Sequence, residues 1–74
     1  MGQVRDDILL NSITKKLKAL RLAKGVSQEE IYNETDVHIG RIESKKGNIS
    51  VSTLSKLCDY FDISLETFFK EIKR

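Results

Sequence analysis

The turn Ile39-Gly40-Arg41-Ile42-Glu43 places Ile39 and Ile42 three residues apart, on one face of a short helix. That leaves Val37, His38, Gly40 and Arg41 to face outward. The chemistry open to this set is hydrogen bonding to an anionic or acceptor-rich surface. The Arg41 fork fits the O6 and N7 acceptors of guanine, and it fits a phosphate nearly as well. His38 brings an imidazole donor to a base or a phosphate, or else remains a plain surface residue. Gly40 costs about 1 kcal/mol relative to alanine inside a helix, so it either lets a partner approach the backbone or fits a tight corner. Just upstream, Ser27-Gln28-Glu29-Glu30-Ile31 opens a helix with its own capping box: Ser27 accepts from the Glu30 N–H, and Glu30 reaches back to the Ser27 N–H.

Composition removes whole classes of function. One His and one Cys, with no Gly-rich phosphate loop and no His-Glu-x-x-His pair, offer an enzyme little to work with. A metal site fails on the same shortage of ligands, and no cofactor or small-molecule ligand is expected. No run of about 18 apolar residues is present to span a bilayer, nor a signal-peptide segment, so no membrane partner is expected. Cys58 stands alone and cannot form an internal disulfide; a reducing cytoplasm fits it best. The 74 residues make one domain near the lower limit for a lone core, a size that gains from dimerising. Net charge is only +2, but it is segregated. Residues 13–24 carry Lys15, Lys16, Lys18, Arg21 and Lys24 with no acid, and residues 41–56 carry Arg41, Lys45, Lys46 and Lys56 against Glu43 alone. A segregated basic surface is the footprint of a polyanion partner, although ordinary solvated helix faces can also produce such runs.

The elements that must position these residues are helices throughout. Leu9 or Leu10, Ile13, Leu17 and Leu20 predict a first helix from about Asp7 to Lys24, closed by Gly25 in a left-handed conformation. A second begins after Ser27, and a third covers roughly Asp36 to Ser44. Leu54, Leu57, Cys58 and Phe61 predict a fourth over about Ser52 to Phe61, with Cys58 a buried small hydrophobe. Ser64 caps a fifth, whose apolar face is Leu65, Phe68, Phe69 and Ile72. Strand signals are confined to residues 48–52, too short and too rich in cap residues. The expected architecture is all-α: a compact five-helix domain over residues 13–69, residues 1–12 extending its first helix and residues 70–74 ending its last. Two short helices joined tightly in a small basic chain point to a helix-turn-helix, which lays its second helix in the DNA major groove.

Several blocks, in order, resemble the helix-turn-helix family of the XRE type, that of Cro and phage repressors. Lys16-Leu17-Lys18-Ala19-Leu20-Arg21-Leu22-Ala23-Lys24-Gly25-Val26-Ser27-Gln28-Glu29-Glu30 is similar to its opening. Arg41-Ile42-Glu43-Ser44-Lys45-Lys46-Gly47-Asn48 is similar to the end of its recognition helix and the loop that follows. Residues 51–57 and 61–69 resemble its last two helices. The recognition segment is about three residues shorter than is usual in the family, roughly one helical turn. Tyr32 stands where the family commonly has a small residue, and Thr35-Asp36 replaces the usual glycine at the turn.

The resemblance implies a sequence-specific DNA-binding regulator, a repressor acting as a homodimer on duplex DNA. Gln28 resembles the glutamine that clamps a phosphate from a helix N-terminus. Lys45, Lys46 and Asn48 resemble the loop that contacts the DNA backbone. Arg21 and Glu43 occupy the places of a partly buried ion pair that locks the first helix to the third. The aromatic residues Tyr32, Tyr60, Phe61, Phe68 and Phe69 are spaced for core or dimer contacts rather than for base stacking. The dimer surface is expected on Leu65, Phe68, Phe69 and Ile72, one of the adjacent Phe rings packing inward while the other stays available. A different class remains open: a protein-interaction module of the same fold that has lost specific DNA binding, which the shortened corner favours and the basic loop opposes.

Overall fold

Five helices and no strand occur among the described residues, 6–44 and 48–72 of a computed structural model. They are α1 (Asp7–Lys24), α2 (Gln28–Thr35), α3 (Ile39–Glu43), α4 (Val51–Tyr60) and α5 (Leu65–Glu71). Lys45 and Lys46 lie outside the described residues.

Side chains close the free N–H groups at the start of four helices. Asp6 accepts from the Leu9 N–H at 3.0 Å, Ser50 from Thr53 at 3.1 Å and Ser64 from Thr67 at 3.0 Å. At α2 the capping box forms in both directions: Ser27 Oγ accepts from the Glu30 N–H at 3.0 Å, and Glu30 Oε1 from the Ser27 N–H at 3.2 Å. Each such cap is worth about 1 kcal/mol. Only α3 begins without a side-chain cap.

The helix ends turn through left-handed residues. Gly25 (φ 73°) ends α1 in a Schellman motif, its N–H reaching Leu22 O at 3.1 Å and that of Val26 reaching Arg21 O at 3.3 Å. Asp62 (φ 58°) does the same after α4. Asp36 (φ 64°) ends α2 with a single bond from its N–H to Tyr32 O at 2.8 Å. Asp36 therefore terminates the second helix and does not begin the third, so α3 starts three residues later than the expected Asp36. The buried Thr35 hydroxyl pins the corner, donating to Ile31 O at 2.7 Å and accepting from the Val37 N–H at 3.1 Å. Val37, expected to face outward, instead packs partly buried against the core. Val37 precedes the first residue of α3, so the helical face set by Ile39 and Ile42 does not govern its side chain.

Every helix contributes to one core: Ile13 and Leu17 from α1, Ile31 from α2, Ile39 from α3, Leu54, Leu57 and Cys58 from α4, and Phe68 from α5. Burying side chains of this size stabilises the fold by about 1.5–3 kcal/mol each. Burial also pushes the Cys58 thiol above its ordinary pKa, with the Asp59 charge adding to the effect. A Cβ at Gly25 would meet no atom within 4 Å, so the turn needs glycine for its backbone angle and not for space. Gly25→Ala is expected to destabilise the protein by about 1 kcal/mol through left-handed strain alone, lowering the urea midpoint without changing the slope.

Candidate nucleic-acid interface

The α1–α2–α3 unit is held at one carboxylate. Arg21, on α1, donates from Nε to Glu43 Oε2 at 2.7 Å and from Nη2 to Glu43 Oε1 at 3.0 Å. Both side chains are largely withdrawn from solvent, at 14% and 7% exposed. Gln28, the first residue of α2, donates from Nε2 to the same Glu43 Oε1 at 3.0 Å. A carboxylate only accepts, so the Gln28 amide must turn its nitrogen toward Glu43. A second link runs from Thr14 Oγ1 on α1 to Ile42 O on α3 at 3.4 Å.

Gly40 is the seat for this arrangement. A Cβ there would lie 2.8 Å from Gln28 Oε1, inside contact distance. The glycine thus gives the Gln28 side chain room to cross α3 and reach Glu43.

Burial pushes the Glu43 carboxyl upward, but the hydrogen bonds from Arg21 and Gln28, with the charges of Arg21 and Lys18, outweigh it and hold the carboxyl below the usual glutamate value. At Arg21 the hydrogen bond it donates to Glu43 outweighs desolvation and raises its pKa, helped by the carboxylate charge.

Around this lock the structure gathers part of the expected contact set. An open groove is lined by Gln28, Glu29 and Tyr32 of α2 and by His38, Gly40 and Arg41 at the start of α3. His38 and Arg41 are exposed, as is Asn48, whose Oδ1 accepts from the Ile49 N–H at 3.1 Å. Asn48 lies in an adjoining hollow with His38, Ile49 and Thr53. Val37 lines that hollow from the core side. Tyr32, expected in a core or dimer contact, is 38% exposed, and its ring stacks on that of His38 at 4.2 Å between centroids. Two features of this surface escape sequence reading: the Gln28–Glu43 bond and the Tyr32–His38 stack. The one signal for the first is a glycine inside a five-residue helix.

On α5, Phe68 is fully buried within the chain. Its inclusion in the expected dimer surface is therefore corrected: the ring has no face left for a partner. Phe69 is 43% exposed, while Leu65 and Ile72 pack partly buried against the core. The end of α5 is tied to α1 by Lys16 Nζ to Glu71 Oε1 at 2.6 Å. No helix among the described residues is long and apolar enough to cross a membrane.

Two outcomes test the lock. Glu43→Ala strands the Arg21 guanidinium and is expected to cost about 3 kcal/mol in urea unfolding at neutral pH. Because the folded pKa of Glu43 is depressed, its contribution is fully present above the unfolded glutamate value of about 4.3 and is lost as pH falls through the lower folded value. The stability gap between the wild type and Glu43→Gln should therefore narrow as the pH is lowered through that window.

Comparison with known proteins agrees with this geometry. A family model described as helix-turn-helix matches residues 17–68, from the buried Leu17 of α1 to the buried Phe68 of α5. No curated protein and no solved structure matches the chain. The match covers α2, α3 and α4 whole, with the C-terminal part of α1 and the N-terminal part of α5, and includes the Arg21–Glu43 lock. The chain belongs to the helix-turn-helix family of the XRE/Cro type, a DNA-binding family.

Proposed function

We propose that the protein is a sequence-specific transcriptional regulator, a repressor that binds duplex DNA as a homodimer with α3 in the major groove. The observation that carries this reading is the convergence of Gln28, His38 and Arg41 on one open groove, beside a lock that fixes α3 against α1 and α2. Recognition helices contact base edges from their N-terminal residues, and His38 and Arg41 stand at that end of α3. Arg41 reads a base with its fork on guanine acceptors. Lys45, Lys46 and Asn48 contact the DNA backbone. Gln28, with one amide N–H committed to Glu43, keeps a second N–H and its backbone N–H for a phosphate. Repression by occupancy needs no ligand, and the exposed groove serves as the DNA surface itself.

A five-residue helix specifies a short stretch of sequence, which supports pairing of two copies on half-sites about one helical turn apart. Phe69 is the ring available for that contact, with the partly buried Leu65 and Ile72 flanking it. Phe69→Glu is expected to convert a dimer to a folded monomer in light scattering at micromolar concentration. A wild type that stays monomeric there and on palindromic DNA contradicts the dimer.

Fluorescence anisotropy across a salt series tests the DNA reading itself. Affinity for duplex should fall on the order of 10³-fold between 50 and 200 mM salt as counterions are released. Arg41→Ala should cost about 1–3 kcal/mol at the selected site and relax preference at one base pair. A flat salt response, or no binding to any duplex, supports the protein-interaction module instead.

A further inference from the structure

Few side chains of α3 are free to read anything. Ile39 is fully buried, Gly40 has no side chain, Ile42 packs against the core, and Glu43 is held by Arg21 and Gln28. His38 and Arg41 remain exposed. Arg41 sits within the helix, whereas His38 is the residue before it and makes no capping bond with its side chain. The backbone on the approach to His38 is fixed by the left-handed Asp36 and by the bond from the Val37 N–H to Thr35 Oγ1. The conformation left to settle at His38 is that of its ring. Tyr32 settles it: the two rings stack at 4.2 Å with 25° between their planes.

We propose that Tyr32 is a specificity-determining positioning residue, whose ring holds the His38 imidazole with its edge toward the DNA so that His38 reads a base. The proposal rests on α3 entering the major groove. A stacked imidazole has one face covered and its ring nitrogens at the free edge, where a donor can meet a purine N7 or another base-edge acceptor. Unstacked, the same ring would sample several rotamers and lose that preorganisation on binding. Tyr32 is only partly covered itself, so its replacement tests positioning with little disturbance of the core.

The test has a free-protein arm and a DNA arm, using Tyr32→Leu, Tyr32→Phe and His38→Ala, each checked for an unchanged thermal midpoint. In NMR spectra without DNA, the His38 ring protons should lie upfield in the wild type and in Tyr32→Phe, and lose that ring-current shift in Tyr32→Leu. Selection from a random duplex pool should then show Tyr32→Leu relaxing preference at the same base pair as His38→Ala. Its affinity for the wild-type site should fall roughly five- to hundredfold, with the salt slope unchanged. Tyr32→Phe should restore both, and the Tyr32→Leu/His38→Ala double variant should bind no more weakly than His38→Ala alone. His38 resonances that stay upfield in Tyr32→Leu, a wild-type site preference in that variant, or additive losses in the double variant would each overturn the proposal. Tyr32→Phe behaving like Tyr32→Leu would overturn it too, assigning the hydroxyl a direct contact. Failure of the wild type to bind any duplex overturns the DNA reading and this proposal together, whereas these four outcomes strike the proposal alone.

Discussion

One carboxylate holds the three N-terminal helices together. Glu43 Oε1 takes hydrogen bonds from Arg21 on α1 and from Gln28 on α2, and Oε2 takes a second from Arg21. The helix that carries Glu43 is five residues long, far below the length at which a helix is stable by itself in water. Its conformation comes from what it is tied to: Ile39 in the core, the Ile42 carbonyl on Thr14, and Glu43 on two other helices. A buried ion pair of this kind adds little net stability compared with apolar packing. What it supplies here is direction, because a forked guanidinium on a carboxylate admits few relative orientations.

The corner between α2 and α3 shows how a short connection is compensated. Ending α2 on the left-handed Asp36 leaves only Val37 and His38 before α3 begins. The chain is drawn tight enough for Val37 to turn into the core and for His38 to reach Tyr32. Gly40, with no Cβ, leaves room for the Gln28 side chain that passes over it. Corner, glycine and ion pair are thus one arrangement, and the groove is what remains open beside it.

Much of this was legible in the residues. Apolar spacing predicts both ends of α1 and α4 to within a residue, and the start of α5 after Ser64, because each buries a face with helical period and carries its own cap. The capping box at Ser27 and the left-handed Gly25 are local events that short-range rules capture. The start of α3 was less legible. Asp36 can either cap the next helix or end the previous one, and the Thr35 hydroxyl bonds that decide the matter form only in the folded corner. Val37 changed sides for the same reason. The placement of Phe68 inward and Phe69 outward follows from their spacing on one helix, but which of the two is inward depends on the packing of α5 against the rest. The Gln28–Glu43 bond crosses fifteen residues and has no periodic signature.

The surface built on the N-terminal ends of α2 and α3 is the one proposed to meet duplex DNA. The direct measurement is a nitrogen-15 NMR titration of the full chain with a duplex selected from a random pool. The amide resonances of Gln28, Tyr32, His38, Gly40, Arg41 and Asn48 should shift together at stoichiometric DNA. Those of Lys56 and Asp59, on the exposed side of α4, should stay in place. Shifts centred on α4, with the α2–α3 resonances unmoved, would contradict this proposal.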